Sequence, residues 1–166
     1  KIAGIEETDL ILMIGCNPRY EATILNSRIR KSYLKSKMEI YSTNDIGDQT
    51  YPYKIINNTT SIIKEIVDGN HELSKKIINS LKPIIIIGNS ALKQSSGKYI
   101  FEEFKNFLIK NDKITSKWNS LNLLSTDASA VGLYDLNLFS SNNGRNILLE
   151  KIKKKSIDLL FLVGQD

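Results

Sequence analysis

Along the chain, short unbroken apolar runs alternate with longer stretches in which apolar residues recur every three or four positions. Leu10–Gly15 (LILMIG) is one such run, ending at a glycine, the pattern of a strand buried on both faces. Asn17-Pro18 follows, a good N-cap and then the residue favoured at the first helical position. Tyr20 to Leu34 therefore reads as a helix, with Ile24, Leu25, Ile29 and Tyr33 on roughly one side. Met38–Tyr41 predicts a second short strand, and the segment from Ser42 to Asn58 is polar and turn-rich. Thr60–Val67, with Ile62, Ile63, Ile66 and Val67 inward, predicts a helix stopped by Gly69. Glu72–Leu81 predicts another, with Leu73, Ile77, Ile78 and Leu81 inward and Pro83 ending it. Four isoleucines, Ile84–Ile87, then Gly88, form the clearest strand. Its lack of polar alternation puts it in the middle of a parallel sheet. A helix is expected from Lys98 to Ile109, built on Ile100, Phe104, Phe107 and Leu108. Leu121–Leu124 predicts a strand, Ala128–Leu133 and Arg145–Lys153 helices, and Ile157–Val163 a closing strand before Gly164.

This order predicts an α/β fold, a parallel sheet flanked by helices and doubly wound, over residues 1–166 as a single domain with no internal linker. At 166 residues the chain is long enough to bury a substantial core. Its longest apolar runs are too short to span a bilayer. The net charge of +5 raises a nucleic-acid reading, but the cations are scattered. They concentrate only at Arg28–Lys31 and Lys151–Lys155, the second without interleaved aromatics, so no nucleic-acid partner is expected. One cysteine, Cys16, and one histidine, His71, exclude an internal disulfide and a chain-contained cysteine or histidine metal cage.

In doubly wound sheets ligands bind beyond the carboxyl ends of the strands. Here that edge is Gly15-Cys16-Asn17-Pro18-Arg19, Gly88-Asn89-Ser90 and Gly164-Gln165-Asp166. The glycines permit close backbone approach, and the helix start after Asn17 could hold an anion. Equally, these are tight strand-to-helix turns that bind nothing. No G-x-G-x-x-G occurs, and Gly88 to Gly97-Lys98 fails as a phosphate loop because Tyr99 stands where the magnesium-binding hydroxyl belongs. Cys16 precedes a helix start, where a thiol is acidified, but no base is tied to it. It reads as a small buried residue at a strand end. Glu21, Arg28 and Arg30 read as ion pairs or a partner surface, and Trp118 as a packing anchor. No residue is assigned a catalytic role.

Residues Gly4–Ala22, GIEETDLILMIGCNPRYEA, and Asn26-Ser27-Arg28-Ile29-Arg30-Lys31 carry a more specific signal. They resemble the large, 75-kDa-type iron–sulfur subunit of respiratory NADH:ubiquinone oxidoreductase (complex I). That family reads as "EEAD", an apolar strand, "G-T-N-P-R-Y/F-E-A-P" and "N-A-R-I-R-K". Lys82-Pro83-Ile84-Ile85-Ile86-Ile87-Gly88-Asn89-Ser90-Ala91-Leu92 is similar to its "K-P-x-x-x-x-G-S-S-A-L". Trp118–Asn122, Leu133–Leu136 and Leu160–Gly164 resemble later blocks in the right order, so the resemblance runs over essentially the whole chain.

The resemblance implies a Rossmann-like, degenerate molybdopterin oxidoreductase domain, a scaffold that has generally lost the molybdenum cofactor. It implies a structural part of the peripheral arm, with no cofactor and no metal in this chain. Iron–sulfur clusters and FMN are then expected elsewhere in the assembly that passes electrons from NADH to ubiquinone. Gly15, Cys16, Asn17, Pro18 and Arg19 become a vestigial cofactor turn. Asn17, Pro18, Arg19 and Glu21 carry over as signature residues of structure and packing. Cys16 stands where the family has Thr, and Thr23 where it has Pro, which weakens any retained pocket. The implied partners are other peripheral-arm subunits and the cluster-bearing N-terminal part of the same subunit. The implied location is the matrix side of the mitochondrial inner membrane, or alternatively the cytoplasmic side of a bacterial membrane. The family continues well past Asp166, so the chain is expected to be a portion of a larger subunit or the product of a split gene, covered by neighbouring polypeptide. The rivals are a fragment of a working molybdopterin oxidoreductase, such as a formate dehydrogenase, and a stand-alone nucleotide-binding module. The arginine of Asn17-Pro18-Arg19 opposes the first and the missing glycine fingerprint the second.

Overall fold

A strand buried on both faces can offer no polar side chains to water, and β1 (Leu10–Ile14) and β4 (Pro83–Gly88) are buried at every position. They lie side by side at the centre of a five-stranded parallel sheet of order β3-β2-β1-β4-β5, with β2 at Glu39–Ser42, β3 at Lys54–Ile55 and β5 at Leu121–Leu124. The structure, a computed structural model, describes residues 2–56, 60–127, 129–136 and 144–160. The register is flush in the middle: Leu10 faces Pro83 and Ile14 faces Ile87. Both strands end together at Gly15 and Gly88.

The helices are α1 (Pro18–Glu21), α2 (Thr23–Ser36), α3 (Thr60–Val67), α4 (Glu72–Asn79), α5 (Asn89–Leu92), α6 (Gly97–Lys110), α7 (Ala130–Asp135) and α8 (Gly144–Lys153), preceded by a 3-10 turn over Ile2–Glu7. The expected single helix from Tyr20 is thus two, broken at Ala22, whose φ of −153° and ψ of 72° cannot continue a helix. Contacts divide the chain into two compact units, Lys1–Thr126 and Asp127–Asp166. The first holds the sheet; among its described residues the second holds α7 and α8.

The two-residue side-chain period of a strand sorts the core into two layers. Leu10, Leu12, Ile14, Ile85 and Ile87 face one side, where α3, α4 and α6 bring Ile63, Ile66, Leu73, Ile77, Phe104 and Leu108. Ile11, Met13, Ile84 and Ile86 face the other, covered by Ile29 of α2, Ile5 of the 3-10 turn, and Ile46 and Tyr51 from the segment after β2.

Several expectations need correction. Leu81 is 87% exposed, because α4 stops at Asn79 and Ser80 turns extended at ψ 137°, and Ile78 is 39% exposed, because it lies one position off the face that α4 buries through Leu73, Ser74 and Ile77. Ile24 is 72% exposed, and α2 turns Asn26 and Ser32 inward with Ile29 instead. The "polar turn" of Ser42–Asn58 contains β3, which pairs Tyr41 with Lys54 and Ser42 with Ile55. The closing strand is absent over 157–160. There α8 is closed off by Lys155 at φ 51° and by the Ser156 N–H donating back to Lys151 O, and Leu159 is left exposed. Residues 161–163 and Gly164-Gln165-Asp166 lie outside the described residues.

Candidate functional site

Strand order reverses between β1 and β4: the connection from β1 leads to β2 on one side, and that from β4 to β5 on the other. The crevice beyond such a pair is where doubly wound sheets hold ligands. Gly15-Cys16-Asn17-Pro18-Arg19 and Gly88-Asn89-Ser90 both sit there.

The two turns pack against each other. Gly15 has φ +57°, a left-handed backbone that suits glycine, and a Cβ there would lie 2.6 Å from both Cβ and N of Ala91. A Cβ on Gly88 would overlap Gly15 O and Cys16 Cβ. Gly15 thus leans on α5, and Gly88 on the residue after Gly15, so the glycines serve close contact within the chain.

Cys16 is buried, and its Sγ lies 3.8 Å from Ile86 O. Burial, with a smaller push from the Glu21 carboxylate, raises the thiol to about 12. It is therefore a protonated packing group at neutral pH, the opposite of an activated nucleophile. His71 caps α4, its Nδ1 accepting the Leu73 N–H at 3.0 Å.

Asn17 occupies the N-cap position of α1 but makes no side-chain bond to that helix. Its amide turns instead to loop 44–53, donating from Nδ2 to Ile46 O at 3.0 Å and accepting at Oδ1 from Gln49 Nε2 at 3.0 Å. Gln49 is wholly buried. Its Nε2 also donates to Ile46 O at 2.6 Å, and its Oε1 accepts the Arg19 N–H at 3.2 Å. That N–H, in the first turn of α1, is one an incoming anion would use. The chain's own amide takes it.

Arg19 closes the loop from outside, its guanidinium donating to Asp48 O and pairing with Asp48 Oδ2 at 2.6 Å. The Thr50 N–H, and then Arg19, hold the Asp48 carboxyl below its usual range. Asn26 of α2 donates to Gln49 O at 3.2 Å and accepts from the Tyr51 hydroxyl at 2.7 Å. Burial pushes the Tyr51 phenol up, so it remains a donor. Pro18 is buried at the first helical position.

The Asn17 amide, the Arg19 N–H and the Arg19 guanidinium are thus committed to Ile46, Asp48 and Gln49, while Gly15 leans on Ala91 and Gly88 on Gly15 and Cys16. The Asn17 amide and the Arg19 N–H, the polar groups with which this turn could hold an anionic cofactor, are engaged within the chain and do not fit one in this arrangement. Among the described residues no three His, Cys, Asp or Glu side chains group as metal ligands.

Elsewhere, Arg28 and Lys31 both pair with Glu6, at 3.0 and 3.2 Å. Arg30 has no ion-pair partner among the described residues. Trp118 donates from Nε1 to Pro83 O at 3.1 Å and packs on the α2 side of the core. Sequence reasoning missed Gln49, Asn26 and Tyr51. Asn26 stood out only as the first residue of the Asn26–Lys31 block; for Gln49 and Tyr51 the only signal was the density of Asn, Asp, Gly and Gln between Asn44 and Tyr51, which reads as turn chemistry and not as buried side chains.

The fold and its switch point define a doubly wound α/β domain. Residues 1–166 match the profile of the molybdopterin oxidoreductase family, and the chain belongs to it. It is similar to the NADH-ubiquinone oxidoreductase 75 kDa subunit of Reclinomonas americana, with 40% identity over 99% of this chain and 24% of that protein. The mitochondrial NADH-ubiquinone oxidoreductase 78 kDa subunit of Candida albicans is 32% identical over 99% of this chain and 22% of its own length. A bacterial relative, an NADH-quinone oxidoreductase subunit of Rickettsia bellii, is 29% identical over 99% of this chain and 23% of its own length. The chain spans about a quarter of the length of these relatives.

Proposed function

We propose that this chain is a structural portion of the peripheral arm of respiratory complex I, in which 1–166 belong to one α/β domain of a longer subunit. Electron transfer from NADH to ubiquinone is the activity of the assembly, whose iron–sulfur clusters and FMN sit in other polypeptide. The observation that carries this reading is the 40% identity to a 75 kDa subunit over nearly the whole chain. The Gln49 plug supports its second half, that Gly15, Cys16, Asn17, Pro18 and Arg19 are retained for packing and hold no cofactor. The partners are then neighbouring peripheral-arm subunits and the cluster-bearing N-terminal part of the same subunit. The location is the matrix side of the mitochondrial inner membrane, or the cytoplasmic side of a bacterial one. No described helix is long and apolar enough to cross a membrane.

Family membership favours one other reading, a piece of a working molybdopterin-dependent oxidoreductase such as a formate dehydrogenase. Gentle solubilisation of the source membranes, a native gel and mass spectrometry separate the two. Migration in a megadalton band that oxidises NADH is expected. Migration in a band that contains molybdenum would overturn the proposal.

A further inference from the structure

The outer side of α2 forms the floor of a groove that loop 44–53 does not fill. Thr23, Ser27, Arg30 and Leu34 succeed each other at helical spacing, and Arg19 and Thr50 form one wall of a groove of about 660 Å³. Arg19, Arg30 and Lys31 line it and no carboxylate does. Two of these cations are partly answered from outside the groove, Arg19 by Asp48 and Lys31 by Glu6. Arg30 is exposed and unanswered among the described residues. Leu34 stands 59% exposed in the same lining, an apolar surface left uncovered by the described residues.

We infer that this groove docks an acidic segment of a neighbouring polypeptide, one carboxylate set against Arg30 and an apolar side chain against Leu34. The choice of occupant rests on charge complementarity. Arg30 is the lining cation without an anionic partner among the described residues, and Leu34 lies exposed one helical turn along, so a partner that is acidic and partly apolar complements the groove. The planar guanidinium of Arg30 in the lining suits a carboxylate in paired hydrogen bonds. The inference rests on the reading that the chain works inside a larger assembly.

The test uses the full-length subunit in its native assembly, with a photo-reactive residue at the exposed Ser27. After irradiation, the intact assembly is isolated on a native gel and the cross-linked peptide sequenced. One neighbouring peptide is expected, carrying at least two Asp or Glu within about one helical turn of the attachment point. Arg30→Glu should cut the cross-link yield about tenfold, while Arg30→Lys should keep it within about twofold, since a like charge set against the partner repels it and lysine preserves the sign. Attachment to lipid, to nucleic acid, to a second copy of this chain or to a peptide without carboxylates would overturn the inference. So would an absence of cross-link in an intact assembly, or a yield unchanged by Arg30→Glu. The position of the native band answers separately whether the assembly oxidises NADH, so failure of that reading and failure of this one are told apart.

Discussion

The two faces of the sheet are held by different forces. On one face α3, α4 and α6 set Ile63, Ile66, Ile77, Phe104 and Leu108 on the odd residues of β4 and the even residues of β1. Burial there is non-directional and scales with apolar area. On the other face α2 turns Asn26, Ile29 and Ser32 inward, and a loop pushes a glutamine and a tyrosine under it. The Asn26, Gln49 and Tyr51 side chains each have a partner in the right direction, and losing one is costly because a stranded polar atom costs more than a made bond gains; the buried Ser32 hydroxyl has no partner among the described residues. The apolar face should therefore tolerate a change of shape and suffer from loss of volume. The polar face should suffer from loss of a single atom.

The largest effect is expected on the apolar face. Phe104 is fully buried among Ile66, Leu108 and the central strands. Phe104→Ala should lower unfolding free energy by about 3–5 kcal/mol, and Phe104→Leu by roughly 1.5 kcal/mol or less if that face repacks. Urea unfolding of the chain measures both. Equal losses would mean that the apolar face depends on shape as closely as the polar one.

Gln49→Leu keeps most of the volume and removes the chemistry. It strands the Arg19 N–H and Asn17 Oδ1 and leaves Ile46 O with Asn17 Nδ2 as its one remaining donor of the two. A loss of about 2–3 kcal/mol is expected in the same experiment. A loss under about 0.5 kcal/mol would show that loop 44–53 is held by packing alone, and the contrast between the faces would fall.

What could be read in advance follows the same division. β1, β4, α3 and α6 were legible because apolar area leaves a periodic trace, and Ile66, Phe104 and Leu108 lie where the spacing put them. The α2 face leaves no such trace. Asn26 and Ser32 look like surface residues on a helix, and Ile24 looks like core, so the pattern points at the wrong side. Gln49 could not be found from spacing, since its burial depends on Asn17 and Arg19 thirty residues away. β3 was hidden for another reason: two residues, Lys54 and Ile55, are too few to show any period. At the switch point Gly15 and Gly88 marked where the turns lie. Whether they faced a ligand or each other was decided by tertiary packing, which leaves no periodic mark along the chain.

Seating Gln49 leaves its neighbour under strain. Thr50 has φ 68°, a region in which a β-branched side chain is an outlier, and the Asp48 Oδ1 accepting its N–H at 2.7 Å helps keep it there. Thr50→Gly should relieve that strain and raise stability by about 1 kcal/mol, a gain reduced by the extra freedom of glycine in the unfolded chain. The melting temperature checks it. A decrease would mean that the Thr50 side chain itself holds the polar face together.

The smallest effect separates the two faces by pH. The Gly47 N–H, and then the Tyr53 hydroxyl, hold the Asp45 carboxyl below its usual value; the Thr50 N–H, and then Arg19, do so for Asp48. A carboxyl depressed in the folded state adds stability that is complete above its unfolded value and lost as pH falls through the folded one. For these two aspartates the loss begins below about pH 4. Both are exposed, so the contribution is local and modest. Hydrogen exchange at the Gly47 and Thr50 amides, which donate to these carboxylates at 2.9 and 2.7 Å, reads it directly. Between about pH 5 and 3, protection there, corrected for intrinsic rate, should fall while that of the Phe104 and Leu108 amides holds, because α6 carries none of these carboxylates. If both sets fall together, the two faces open as one cooperative body and the difference between them is one of chemistry alone. If only the loop amides fall, the polar face has an opening of its own, and the Gln49 plug can be withdrawn from the Gly15–Arg19 turn without unfolding the sheet.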